Sequence, residues 1–95
     1  MTDLEDSTRI IVPKQVVAKE VGGEMVLLDL ERGSYFKLNV TAAALWRTMA
    51  AGQTLGEGVR QLGERFEAPE ETLRREMALL LEDLMKERLV HLAPA

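Results

Sequence analysis

The run Val26-Leu27-Leu28-Asp29-Leu30-Glu31-Arg32-Gly33-Ser34-Tyr35-Phe36-Lys37-Leu38-Asn39 leads straight into Thr41-Ala42-Ala43-Ala44-Leu45-Trp46. Two β-prone segments meet across a tight turn at Gly33, and an apolar helix begins almost at once after the second. Asn39 and Thr41 offer side-chain oxygens to the first free N–H groups of that helix. A hairpin followed so closely by an apolar helix has few ways to fold. The helix must pack back over one face of the hairpin, and strand alternation says which face. Phe36 and Leu38 share one side and Tyr35 and Lys37 the other. Phe36 and Leu38 are therefore expected in the core and Tyr35 partly exposed.

The flanking sequence extends this unit in both directions. Residues 1–9 are polar and acidic and read as a flexible N-terminal tail; residues 10–95 read as a single domain. Ile10-Ile11-Val12 is a short extended segment that Pro13 ends. Val16 to Val21 is rich in β-branched residues, and Gly22-Gly23 marks a turn into Met25 to Leu30. With Tyr35 to Leu38, this makes a three-stranded antiparallel meander. Three helices follow.

The first helix runs from Asn39 or Thr41 to a stop near Gly52, with Ala42, Leu45, Trp46 and Met49 at helical spacing. The second opens on the capping box Thr54-Leu55-Gly56-Glu57 and carries the stripe Leu55, Val59, Leu62 and Phe66. Gly56, Gly58 and Gly63 each cost it about 1 kcal/mol against alanine, so it leans on packing. The third begins at Pro69, with Glu70 and Glu71 facing the positive end of the helix dipole. Its buried stripe is Leu73, Met77, Leu80, Leu81 and Leu84. Val90 to Leu92 reads as a short closing strand. Trp46, Phe36, Leu38, Leu80 and Leu84 are expected as core. Strands first and helices after give an α+β, winged helix-turn-helix-like fold, a three-stranded antiparallel sheet followed by three α-helices.

Composition narrows the functions such a domain can have. Hydrophobic residues make up 46% of the 95-residue chain and charged residues 29%, a globular balance. No apolar run approaches the ~20 residues that span a bilayer, and the acidic start lacks the basic and apolar regions of a signal peptide. A cytoplasmic protein with no membrane association is expected. The chain has no cysteine, which removes disulfides, thiolate nucleophiles and zinc-thiolate sites. His91, its one histidine, lies among Leu89, Val90 and Leu92 and reads as a half-exposed strand residue.

Catalysis has no visible foothold. The carboxylates Glu70, Glu71, Glu76, Glu82, Asp83 and Glu87 fall on the polar side of the third helix, a solvated face rather than a pocket that shifts a pKa. The glycines form neither a phosphate loop nor a dinucleotide fingerprint. No catalytic residue, metal ligand or cofactor is expected.

Two binding functions compete. A winged-helix regulator would read DNA through the third helix, where Arg74 and Arg75 are available. Glu70, Glu71 and Glu76 surround them, and the net charge is −4, so phosphate repulsion offsets much of their attraction. Peptide binding is the other reading. A short meander has open edges whose unpaired N–H and C=O groups template an added strand. The plain alternative is an edge kept free by twist and charge, guarded by Arg32 and Lys37.

From Val26 to Val90 the chain resembles the PqqD-like family of peptide-recognition domains. The resemblance rests on the apolar strand ending in Asp29, on Gly33 with Tyr35-Phe36, and on Leu38-Asn39. It continues in the Ala-rich helix with Trp46, the Thr54 helix start and the leucine-rich last helix to Leu89. Arg88 departs from it, since relatives often carry glycine there. The turn Glu-Arg-Gly-Ser-Tyr resembles the stand-alone recognition proteins of lasso-peptide pathways. The chain lacks the Pro-Glu-Gly turn and the Asp-Gly after the first helix associated with pyrroloquinoline quinone pathways.

The resemblance implies non-catalytic binding of the leader segment of a ribosomally synthesised precursor peptide (RiPP), added as a strand along Ser34, Tyr35, Phe36, Lys37 and Leu38. It implies a groove walled by Met77, Ala78 and Leu81, with Arg74 and Arg75 at the rim for acidic leader residues. The partners implied are that leader and a leader peptidase, cyclase or radical modifying enzyme, without nucleic acid. Self-association into a homodimer through the open edge stays undecided.

Overall fold

The computed structural model describes residues 4–93. The element order is β1 (Ile10–Ile11), β2 (Val16–Val21), β3 (Glu24–Asp29), β4 (Ser34–Leu38), α1 (Val40–Ala50), α2 (Leu55–Phe66), α3 (Glu70–Lys86) and β5 (His91–Leu92). The sheet β2-β3-β4 is antiparallel throughout, and β1 pairs with β5 in a separate two-stranded ribbon. The α+β order is the one the sequence leads to, three strands and then three helices.

Turn chemistry sets the sheet register. Val21 pairs with Glu24, leaving Gly22 and Gly23 as a two-residue loop with φ of 59° and 87°. Positive φ at both positions is what a type I′ hairpin turn demands, and only glycine takes it without strain. The β3–β4 turn is built by Asp29, buried to 1% exposure. Its Oδ1 accepts from the N–H groups of Glu31 (3.0 Å) and Arg32 (3.1 Å), and its carbonyl accepts from Gly33 (2.8 Å). Arg32 Nε stands 3.7 Å from the second carboxylate oxygen.

The register also separates the two faces. Met25, Leu27, Asp29 and Leu38 are buried toward the helices. The outward face carries two rows that run across all three strands, Val17–Leu28–Tyr35 and Lys19–Val26–Lys37. Tyr35 is 68% exposed, more than the partial exposure expected.

Each helix starts and stops where its ends are satisfied. Asn39 Oδ1 accepts from Ala42 N–H (2.9 Å) to open α1. Thr54 and Glu57 form the full capping box of α2. The N–H groups of Leu55 and Gly56 donate instead to the carbonyls of Thr8 (2.8 Å) and Asp6 (2.9 Å). The segment expected as a loose tail is thus tied to α2 through residues 6–9, and Arg9 Nε also donates to the Gly52 carbonyl (3.1 Å); residues 1–3 lie outside the described part. The close contact explains Gly56, whose added Cβ would sit 2.8 Å from Asp6 Cβ.

At the far end of α3, Arg88 adopts φ 60°, Leu89 N–H donates to the Leu84 carbonyl (2.9 Å) and Arg88 N–H to Met85 (3.0 Å). This is a Schellman stop with buried Leu84 and Leu89 as its apolar pair. Arginine stands here in the conformation that favours glycine.

The core gathers Leu27 and Leu38 from the sheet, Leu45, Trp46 and Met49 from α1, Leu55, Val59 and Leu62 from α2, and Leu73, Met77, Leu81 and Leu84 from α3. Two expected core residues differ: Phe36 and Leu80 are only half-buried against it. No helix among the described residues is long and apolar enough to cross a membrane.

Candidate functional site

β4 is the last strand of its sheet, so one row of its main-chain N–H and C=O groups has no strand partner among the described residues. It spans Ser34–Leu38, the segment the sequence marks as an edge. Phe36 and Leu38 look inward, Tyr35 and Lys37 outward.

At the C-terminal end of this strand the chain turns through Asn39 into α1, and a groove of about 310 Å³ opens between that junction and α3. Asn39, Thr41 and Ala42 form one wall; Glu76, Met77, Leu79, Leu80 and Asp83 form the other. Leu79 is 57% exposed, a large apolar side chain left uncovered at the rim. Half-buried Leu80 and buried Met77 continue the apolar surface inward. An extended segment here could pair its backbone with β4 and drop alternate side chains against these leucines.

The helical wheel of α3 shows which of the expected wall residues share the side of this groove. Leu73, Met77, Leu81 and Leu84 make the buried stripe. Glu76, Leu80 and Asp83 lie on one flank of it, whereas Arg74 and Ala78 lie on the other. The groove is on the first flank. Arg74 is engaged elsewhere, donating through Nε and Nη2 to the Asp6 carboxylate at 2.9 and 3.0 Å. Ala78, one turn on, shares that side and is not on the groove wall. Leu81 is buried in the core, Met77 does line the groove, and Arg75 is exposed on the face away from the stripe. The charged residues on the α3 wall of this groove are Glu76 and Asp83.

Glu76 and Asp83 read as solvated surface in the sequence, and Leu79 falls outside the apolar stripe that the spacing predicts. Leu79 was also the available signal, a leucine outside the buried stripe on an otherwise polar side. Among the described residues no group of three potential ligands could hold a metal ion.

Comparisons with known proteins bear on the family and the fold. The model of the family described as Coenzyme PQQ synthesis protein D (PqqD) matches residues 24–90. A solved structure of TbiB1 in complex with the TbiA(beta) leader peptide is 25% identical, with a TM-score of 0.78 over 84% of this chain and 93% of that one. A lasso peptide synthetase B1 complexed with the leader peptide is 26% identical, with a TM-score of 0.76 over 90% of this chain and 99% of that one. No curated protein sequence matches the chain.

Proposed function

Because the chain belongs to the PqqD family, we propose that it is a non-catalytic domain that binds the leader segment of a ribosomally synthesised precursor peptide. The leader adds as a fourth strand along Ser34–Leu38 and lays alternate side chains into the groove beside α3. The domain presents it in the cytoplasm to a leader peptidase or modifying enzyme, in a lasso-peptide pathway. One observation carries the reading: a strand edge with no strand partner among the described residues runs into a groove lined by exposed Leu79, in a fold shared with two solved proteins that are complexed with leader peptides. Main-chain pairing supplies affinity that depends little on sequence, and the groove supplies selection.

The test is a titration of a fluorescein-labelled leader taken from the precursor gene neighbouring this one, with hydrogen exchange followed on the complex. Binding in the nanomolar to micromolar range, roughly −8 to −12 kcal/mol, with new protection confined to amides of β4, is the expected result. Failure to bind at tens of micromolar, together with steeply salt-dependent binding of duplex DNA, would replace this reading with a winged-helix regulator.

A further inference from the structure

The acidic rim of the groove bears on which leaders it accepts, and this inference rests on the leader-binding reading above. Glu76 and Asp83 flank the apolar floor of Leu79 and Leu80. Both are exposed, and among the described residues no ion pair engages either one. Among the described residues, none of the nearby cations pairs with either acid. Arg74 is held by Asp6 on the opposite flank, Lys37 projects from the outward face of the sheet, and Lys86 lies one turn beyond Asp83 at the helix end. A segment entering this groove meets two exposed carboxylates, without an ion-pair partner among the described residues, beside leucine side chains.

We propose that the strand this groove accepts is cationic, with one apolar side chain seated on Leu79 and Leu80 between two Lys or Arg residues that meet Glu76 and Asp83. Spacing supports the pattern. Seven helical residues separate the two acids by ~10.5 Å along α3. Inward-facing side chains of an extended strand recur every ~6.7 Å, so positions i and i+4 lie ~13 Å apart with the apolar residue between them. Long basic stems absorb the difference, lying along the leucines while their head groups reach the carboxylates. An acidic leader would face like charges at both ends, which selects against it by repulsion.

The experiment uses a phage-displayed library of random 20-residue segments, selected in parallel on the full chain and on the double variant Glu76→Lys/Asp83→Lys. Both positions are exposed and melting curves confirm that the variant folds. The full chain is expected to enrich Lys or Arg at positions i and i+4 around an apolar residue, and the variant Asp or Glu at the same positions. Peptides selected on the full chain should bind the variant about tenfold or more weakly at low salt, with the gap shrinking as salt screens it. Enrichment of the same sequences on both proteins overturns the charge assignment while leaving peptide binding intact. Failure of the unmodified full chain to retain any peptide overturns the leader-binding reading and this inference together.

Discussion

Arg74 grips Asp6 across 68 positions of the chain, Nε to Oδ1 at 2.9 Å and Nη2 to Oδ2 at 3.0 Å. The fork geometry is the strong form of such a contact, but both partners are partly exposed, at 38% and 64%, which limits its value. Asp6→Ala is expected to lower unfolding stability by about 0.5–1 kcal/mol, and Arg74→Ala should cost no more when added to it. Urea titrations of the three variants measure this. Leader affinity should stay within about twofold of the parent in each, because the pair lies across α3 from the groove. Leu79→Ala should weaken it by about 3–10-fold with the fold intact. A basic pair that contacts the leader would reverse that order.

Arg88 holds φ 60° in the Schellman stop of α3. An L-residue with a Cβ pays about 1–2 kcal/mol there, more than the chain entropy that glycine would add to the unfolded state. Arg88→Gly is therefore expected to stabilise the domain by about 0.5–1 kcal/mol, seen as a rise in melting temperature. Arg88→Ala, which keeps the Cβ, should not share the gain.

Gly58 makes the opposite case. A Cβ placed on it would lie 2.7 Å from Thr48 Oγ1 and 2.8 Å from Leu45 Cδ1. Leu45 is buried, and Thr48 Oγ1 donates to the Leu45 carbonyl at 2.8 Å, so neither atom moves freely. Alanine adds about 1 kcal/mol of helix propensity, yet overpacking the α1–α2 contact should outweigh it and leave Gly58→Ala about 1–2 kcal/mol less stable. Denaturant midpoints decide the sign.

The capping box gives α2 a pH dependence. Glu57 Oε1 accepts from Thr54 N–H at 2.8 Å, and that backbone bond, followed by the Thr54 hydroxyl, holds the Glu57 carboxyl below its ordinary pKa. A depressed folded pKa means the stabilisation is present above the unfolded value and lost as pH falls through the folded one. Glu57→Gln keeps an acceptor but removes the titration. The parent should melt above Glu57→Gln at neutral pH and converge with it in acid. A gap constant across pH would assign the difference to something other than this carboxylate.

Legibility in the sequence followed locality. Hairpins, caps and helix stripes are written in spacings of two to four residues, and Gly22-Gly23, Asn39, Thr54 and, Leu80 apart, the Leu73–Leu84 stripe stand where those spacings put them. The flank of α3 that faces β4 depends on how the helix is rotated in the tertiary structure. Leu80 lies as near the stripe as Leu81 on the helical wheel, so the sequence alone could not separate the groove side from the Arg74 side. The tie between residues 6–9 and α2 was invisible for another reason. It consists mainly of backbone carbonyls meeting N–H groups of Leu55 and Gly56, and no side-chain pattern announces such contacts.

The outward rows of the sheet end at Tyr35 and Lys37 because β4 is the last strand. A strand paired to β4 sends every second side chain to that same face. The ridge Val17–Leu28–Tyr35 is then one position longer, and the added position belongs to another molecule. Under the proposed strand addition, the outward face of the sheet therefore gains a row of peptide side chains beside Tyr35 and Lys37 when the domain is loaded, so that its exterior reports what sits at its edge.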